Sequence, residues 1–178
     1  MSFPKPYADA VAKLRVPGGF VMVAAFLWLS APTWTSLAWG LPVSALGLAL
    51  RAWAAGHLEK NRSLAVSGPY AYVRNPLYIG TLAVAAGFVL ASRQWVLGVL
   101  FAAVFLLIYL PVVELEEQHL RSLFPQYVDY AQRVPRLWPR IGAPGTKRFQ
   151  WPLYRRNQEY QALAGFLAGV AVLIWKAW

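Results

Sequence analysis

Long uncharged stretches alternate along the chain with short segments that carry nearly all of its charge. The first stretch runs from Val16 to Leu50 and contains no Asp, Glu, Lys or Arg. As a single helix it would measure about 50 Å at ~1.5 Å per residue, whereas the hydrocarbon core of a bilayer is ~30 Å thick. It must therefore turn back. The predicted turn is 31–36, because Pro32 ends a helix and Trp34 prefers the membrane interface.

Three further uncharged stretches follow, at 75–92, 94–113 and 160–175. Together with the two halves of the first stretch they predict five transmembrane helices, near 17–32, 36–56, 76–92, 94–116 and 158–177. The expected fold class is all-α integral membrane, with a cofactor pocket on the cytoplasmic side. The first helix resembles a signal peptide, but Pro32 directly after the apparent cleavage point argues for a retained helix.

The distribution of Lys and Arg predicts the orientation of these helices, because cytoplasmic loops collect basic residues. With the N-terminus inside, 15 of the 17 Lys and Arg residues fall on the inner side, and only Arg93 and Lys176 fall outside. The pattern predicts a multi-pass protein with a cytoplasmic N-terminus and a C-terminus on the opposite side.

Composition supports a membrane protein. Hydrophobic residues make up 58% of the chain and charged residues 13%, against roughly 45–50% and 25% in an average soluble domain. The net charge of +10 is spread over membrane-proximal loops, which favours attraction to anionic lipid headgroups over binding of nucleic acid. Without Cys, the chain has no disulfide, thiolate metal site or cysteine nucleophile.

The chain is predicted to be a single membrane domain over 1–178. Its longest polar segment, 121–158, is shorter than the ~40 residues that a piece usually needs to fold alone. Neither a Rossmann-type nor a P-loop glycine motif is present, so no such nucleotide site is indicated. Any cofactor should be held by the helices and their cytoplasmic loops.

A first polar cluster precedes the third predicted helix. Gly68-Pro69 is a turn signal, and Asn75-Pro76 is typical of a helix start, since Asn is a good N-cap and Pro is favoured at the first helical position. Free backbone N–H groups at a helix N-terminus suit an anionic or carbonyl group of a ligand. Arg74 adds a planar fork that can grip a carboxylate with two hydrogen bonds.

Small and aromatic side chains complete this cluster. Gly80 shares a helical face with Pro76 and is expected to leave room for a ligand against the first turn. Tyr70, Tyr72 and Tyr78 can stack on an aromatic base or face a cation. An alternative remains open, in which the cluster is a membrane-entry turn with interfacial tyrosines and a snorkelling arginine.

A second polar cluster ends the fourth predicted helix with Glu114, Glu116 and Glu117. At 100° per residue, Glu114 and Glu117 share one stripe with Arg121, while Glu116 points away from it. We therefore expect one acid to face a pocket and another to pair with an Arg of the following segment. Glu117 is predicted to face the pocket and Glu116 to make the pair. In the alternative, all three acids mark the headgroup level and are solvated.

The two clusters together resemble the catalytic half of a known membrane enzyme superfamily, over about 51–139. The matching residues are Gly68-Pro69-Tyr70, Val73-Arg74-Asn75-Pro76-Leu77-Tyr78-Ile79-Gly80, Glu116-Glu117, Leu120, Phe124, Tyr127, Tyr130, Val134-Pro135 and Pro139. The pattern resembles the isoprenylcysteine carboxyl methyltransferase and phospholipid N-methyltransferase superfamily. The resemblance implies an integral membrane enzyme that uses S-adenosylmethionine to methylate a lipophilic substrate, with the cofactor held between the arginine–proline motif and the paired acids.

The candidate site residues follow from both clusters. The predicted cofactor-binding residues are His57, Gly68, Tyr70, Arg74, Asn75, Pro76, Tyr78, Gly80, Glu116 and Glu117, and Arg74 and Glu117 are the predicted catalytic residues. Glu117 is the candidate base for an amine or hydroxyl acceptor, whereas a carboxylate acceptor needs none. No metal is expected, because two His without a supporting motif do not make a metal site.

Two departures from the family pattern concern Asn75, where the family commonly has His, and Pro125, where it commonly has Gly. Asn cannot titrate, so acid–base catalysis cannot depend on this position. The leading hypothesis is methyl transfer from S-adenosylmethionine to a prenylcysteine-like carboxylate, a phospholipid or an amine. The alternatives are a membrane reductase of the sterol C14 type that uses NADPH, and an inactive lipid-binding membrane protein.

Overall fold

A computed structural model describes residues 3–140 and 147–178, and this part of the chain is helical, without strands. The expected all-α class is thus confirmed for the described residues. The α-helices are α1 Lys5–Ala12, α2 Arg15–Leu29, α3 Trp34–Ala55, α4 Pro76–Ser92, α5 Trp95–Val104, α6 Leu110–Leu123, α7 Tyr127–Arg133, α8 Trp151–Arg156 and α9 Tyr160–Ala177.

Each of the five predicted membrane helices coincides with an apolar helix: α2, α3, α4, the continuous α5–α6 and α9. Among the described residues three helices are long and apolar enough to cross a membrane: Trp34–Ala55, Trp95–Leu123 and Tyr160–Ala177. A fourth is added if Lys5–Ala12 and Val16–Leu29, which meet at a 55° bend, form one span. Helix α4 is apolar but has only 17 residues. Five crossings therefore stay a prediction.

The predicted turn between the first two membrane helices lies at residues 30–33. Thr33 closes it with a capping box: its side chain accepts from the Ser36 amide at 3.3 Å, and the Ser36 hydroxyl accepts from the Thr33 amide at 2.9 Å. The backbone N–H groups of Thr33 and Ser36, at the start of α3, thereby each have a hydrogen-bond acceptor. Helix α3 consequently begins at Trp34, two residues earlier than expected.

Helices α3 and α4 pack closely through small residues on their facing sides. A Cβ at Gly47 of α3 would lie 2.6 Å from the Gly80 carbonyl oxygen of α4. One turn away, the Ser44 hydroxyl donates to the Val84 carbonyl at 2.8 Å. Small side chains allow backbones to approach in this way within a membrane. The close pairing brings the C-terminal end of α3, with Arg51, against the first turns of α4.

A π-helical turn at Phe105–Tyr109 joins α5 to α6. Pro111 follows it and has no N–H, so a carbonyl of the preceding turn loses its helical donor. The Tyr7 hydroxyl of α1 donates to the Leu107 carbonyl at 2.8 Å and occupies such a position. π-Turns of this kind change the direction in which a helix presents its side chains. Tyr109, at the end of this turn, lines the cavity described below.

Candidate functional site

A cavity of about 880 Å³ lies where the ends of α3, α4, α6 and α9 meet the loop 57–67. This volume falls within the ~300–1,000 Å³ typical of small-molecule sites. Of the predicted site residues, Tyr70, Arg74, Asn75, Tyr78 and Glu116 line the cavity. The two polar clusters of the sequence therefore meet at one place.

Arg74 precedes α4 and forms part of the cavity wall. Its side chain is 12% exposed, and its Nε lies 3.5 Å from Oε1 of Glu117. The backbone is fixed by a hydrogen bond of 2.9 Å from the Arg74 amide to the Pro135 carbonyl. The Nε has no hydrogen-bond partner among the described residues. A charged fork held in this way is suited to an anionic ligand group.

Asn75 occupies the N-cap position of α4, and Pro76 is the first residue of the helix, as predicted. The prediction that the Asn75 side chain caps the helix is wrong, because this side chain makes no hydrogen bond to the backbone of α4. Its Nδ2 instead donates to Oε1 of Glu117 at 3.1 Å and to the Arg136 carbonyl at 3.4 Å. Asn75 thus links the first polar cluster to the second.

The paired acids have different surroundings, and their expected division is reversed. Glu117 is 2% exposed, and its Oε2 accepts from Arg136 at 3.1 Å from Nε and 2.7 Å from Nη2. Glu116 is exposed and lines the cavity, where Glu117 does not. The acid paired with the arginine-rich segment is therefore Glu117, and the prediction that assigned this pair to Glu116 is wrong. The reason is that 134–140 folds back over the buried stripe of α6.

Glu114 shares the buried stripe with Glu117, as helical geometry predicts, and is 8% exposed. Two buried acids exclude the alternative in which all three acids are solvated markers of the headgroup level. Glu114 Oε2 has no hydrogen-bond partner among the described residues. Uncompensated buried charge is costly, so the arginines near this stripe matter for stability.

His57 and Gly68 pack against each other and lie outside the large cavity. The His57 Nδ1 lies 3.1 Å from the Ser67 hydroxyl, and its ring packs edge-to-face against Phe149. Gly68 has φ +58°, and a Cβ there would lie 2.6 Å from the His57 ring. The sequence prediction of a cofactor contact at these two residues is not supported by this placement, which gives them a packing role.

Gly80 also lies outside the cavity, because α3 fills the room that was expected for a ligand. A Cβ at Gly80 would meet the side chain of Arg51 at 2.5 Å and the Gly47 carbonyl oxygen at 2.7 Å. Pro76 is buried and does not line the cavity. Both residues shape the start of α4 without facing the cavity.

Three buried tyrosines form one wall. The Tyr130 hydroxyl donates to the Tyr70 carbonyl at 2.7 Å, and Tyr127 packs against Tyr130 and Phe124. Burial, followed by the charge of Glu117, raises the pKa of Tyr127 to about 12. Burial also raises the pKa of Tyr70 and of Tyr130. All three are therefore neutral near pH 7 and can donate hydrogen bonds but cannot act as bases.

Sequence reasoning missed several residues of the site. Arg51 was counted only for topology, yet its Nε lies 2.6 Å from Oε1 of Glu159, and both residues line the cavity. Arg136 was not singled out, although it is the partner of Glu117. A charge at the end of a membrane helix usually has a partner. Applied to Arg51 and Glu159, that rule could have predicted their ion pair from the sequence.

The model of the phospholipid methyltransferase family matches residues 43–127 of the chain. The matched region contains the Arg74–Tyr78 motif and both paired acids. It ends before Arg136 and before α9.

Two curated relatives are named for metal resistance. One is the cobalt-zinc-cadmium resistance protein CzcN of Cupriavidus metallidurans, 30% identical over 149 residues, which covers 80% of this chain and 64% of the relative. The other is the nickel-cobalt-cadmium resistance protein NccN of Alcaligenes xylosoxydans xylosoxydans, 28% identical over 151 residues, or 83% of this chain and 65% of the relative. The chain thus spans just under two thirds of the length of these relatives. No solved structure matches it.

Proposed function

Residues 43–127 match the model of the phospholipid methyltransferase family, and on that premise we propose that the chain transfers a methyl group from S-adenosylmethionine to a lipophilic acceptor in the membrane. The observation that carries the proposal is the cavity of about 880 Å³ between the arginine–proline motif and the cavity-facing acid Glu116. A methyl donor and part of an acceptor can meet there.

The wall groups fit the chemical parts of S-adenosylmethionine, which supplies a methyl group on a sulfonium cation. Arg74 presents a cation for the carboxylate of the amino-acid part. Tyr70, Tyr78 and Tyr109 line the cavity and offer aromatic faces to a cation or to adenine. Glu116 adds a carboxylate at the wall. The side chains of the cavity wall thus match a ligand that combines an amino-acid zwitterion, an aromatic base and a sulfonium cation.

Positioning is the main contribution expected from these residues. Methyl transfer is an in-line displacement: the acceptor's lone pair forms a bond to the methyl carbon, and the carbon–sulfur bond breaks with its electrons going to sulfur. Holding donor and acceptor in line can supply several kcal/mol of the barrier reduction, on the order of 7–11 in favourable cases. An amine or hydroxyl acceptor must also lose a proton. Glu116 is the candidate base in place of Glu117, because Glu116 lines the cavity and Glu117 does not.

We further propose five membrane crossings, with the cavity on the cytoplasmic side. The five apolar helices and the 15-to-2 division of Lys and Arg support this arrangement. The exposed basic residues Lys147 and Arg148 precede α8, and the exposed Arg155 and Arg156 form its last turn, just before α9. Such a segment suits anionic headgroups at the inner surface.

Direct metal binding is not proposed, although the names of the relatives refer to metal resistance. In residues 3–140 and 147–178 no three His, Asp or Glu side chains come together as a metal site. The other residues of the chain include none of these types. Stoichiometric binding of Zn²⁺ or Co²⁺ by the purified protein in calorimetry would contradict this view.

Equilibrium binding of radiolabelled S-adenosylmethionine and of NADPH to the protein in detergent tests the proposed function. The expected result is saturable binding of S-adenosylmethionine and none of NADPH. Binding of NADPH alone would favour the reductase alternative, and binding of neither would favour an inactive lipid-binding protein.

A further inference from the structure

A bidentate ion pair joins the end of α3 to the start of α9 at the cavity wall. Arg51 Nε lies 2.6 Å from Oε1 of Glu159, and Arg51 Nη2 lies 3.1 Å from Oε2. The side chains are 23% and 7% exposed. A charge removed from water is costly unless it is paired and hydrogen-bonded. We therefore expect replacement of either residue alone to destabilise the protein.

The remaining bonds of Arg51 reach the helix that carries the arginine–proline motif. Its Nη1 donates to the Leu77 carbonyl at 3.4 Å and to the Thr81 hydroxyl. Thr81 in turn donates to the Leu77 carbonyl at 2.9 Å. These acceptors belong to the first turns of α4, directly after Arg74. One guanidinium therefore connects Glu159 with the backbone that sets the position of Arg74.

Glu159 lies outside the part of the chain that matches the family model, which ends at residue 127. A purely structural explanation is that the pair only docks α9. Helix α9 has a second polar anchor, however, because Lys176 Nζ donates to the Leu27 carbonyl at 2.9 Å, near the other end of the helix. This anchor is remote from the cavity. Lys176 consequently provides a matched control for docking.

We propose that Glu159 is a positioning residue for the cofactor site and acts through Arg51. Glu159 holds the guanidinium in one orientation, Arg51 fixes the first turns of α4, and these turns set Arg74 at the cavity wall. The inference rests on the proposed function only in taking S-adenosylmethionine as the ligand of Arg74.

Hydrogen exchange of the ligand-free protein tests the positioning without any ligand. In Glu159→Gln the guanidinium loses its charged partner, so amide exchange in peptides covering 75–82 should become faster by about tenfold. In Lys176→Met the same peptides should exchange as in the wild type. Equal exchange at 75–82 in Glu159→Gln and the wild type would overturn the proposal, as would equal acceleration in both variants.

Binding of S-adenosylmethionine separates positioning from docking when single and double variants are compared. Glu159→Gln should weaken binding by about tenfold and lower the melting temperature, because it leaves a buried charge uncompensated. The double variant Arg51→Gln/Glu159→Gln carries no such charge, and its melting temperature should return close to that of the wild type. Its affinity should stay low, since a single amide cannot make the bonds of Arg51 to both Leu77 and Thr81.

Recovery of both affinity and melting temperature in the double variant would show that the losses in Glu159→Gln come only from the unpaired charge of Arg51, and would overturn the proposal. If the wild type binds no S-adenosylmethionine, the proposed function fails, and the hydrogen-exchange comparison alone then decides whether Glu159 positions α4.

Discussion

Glu116 and Glu117 are adjacent in sequence but lie in different surroundings. Substitution of one should therefore affect stability and ligand binding differently from substitution of the other. Glu117→Gln removes the charge that faces Arg74 and Arg136. We expect a loss of stability on the order of 1–3 kcal/mol, less than for a fully buried pair because Arg136 is 29% exposed. Glu116→Gln should lower the melting temperature less than Glu117→Gln does, because Glu116 is exposed, and should weaken binding of S-adenosylmethionine or its turnover. Melting temperature and methyl transfer of both variants, measured together, check this; a lower melting temperature for Glu116→Gln alone would reverse the assignment.

The difference between the two acids was partly predictable. The stripe shared by Glu114 and Glu117 follows from 100° per residue and needs no tertiary information. Which side of α6 faces a ligand depends on where the segment 134–140 packs, and that contact is distant in sequence. The geometry was therefore predicted, whereas the roles of Glu116 and Glu117 were exchanged.

The buried tyrosines 70, 127 and 130 should make the stability of the fold decrease at alkaline pH. An ordinary Tyr has a pKa near 10, and burial raises the pKa of all three in the folded state, that of Tyr127 to about 12. The unfolded chain thus releases these protons at lower pH than the folded chain, so stability is full below about pH 10 and falls as the pH rises above 10 toward the raised pKa values. Absorbance of tyrosinate during a pH jump should show at least three of the nine tyrosines titrating only with unfolding. Titration of all nine in the folded protein would contradict the burial described.

At the scale of elements, the pairing of α3 with α4 supports the site, and Gly47→Ala tests it. The added methyl would lie 2.6 Å from the Gly80 carbonyl oxygen and from the Val84 amide, so backbone must move. We expect destabilisation of about 1–3 kcal/mol and weaker binding of S-adenosylmethionine. Gly165→Ala is the control, since no other helix of the described residues comes within 4 Å of its added methyl. Equal melting temperatures for both variants would contradict the close packing.

The elements themselves were predicted to different degrees. The apolar helices α2, α3, α4, α5–α6 and α9 were placed within a few residues, apart from the extension of α6 to Leu123, because long uncharged runs bounded by charge leave few alternatives. The short helices α1, α7 and α8 were missed, since six to eight mixed residues carry little periodicity. The α3–α4 contact was missed because small residues are frequent in every membrane helix and do not reveal their partner. Gly80 was accordingly assigned to a ligand that α3 replaces.

At the scale of the whole molecule, the division of Lys and Arg predicts the orientation of the helices. We predict that residue 62 is cytoplasmic and that residues 93 and 178 lie on the opposite side, from the division of Lys and Arg. The chain has no Cys, and Arg62, Arg93 and Trp178 are exposed, so single Cys substitutions there can be labelled selectively. A membrane-impermeant thiol reagent applied to sealed inverted vesicles should label only position 62. Labelling of positions 62 and 93 from the same side would contradict five crossings.

The central claim is that the cavity beside Arg74 holds S-adenosylmethionine, and its affinity in Arg74→Lys tests this most directly. A lysine keeps the charge but lacks the bidentate fork, so the dissociation constant should rise by at least about tenfold, or ~1.4 kcal/mol, in a variant that stays folded. An unchanged dissociation constant in a folded Arg74→Lys variant would contradict the account and leave Arg74 as a charge that only orients the membrane helices.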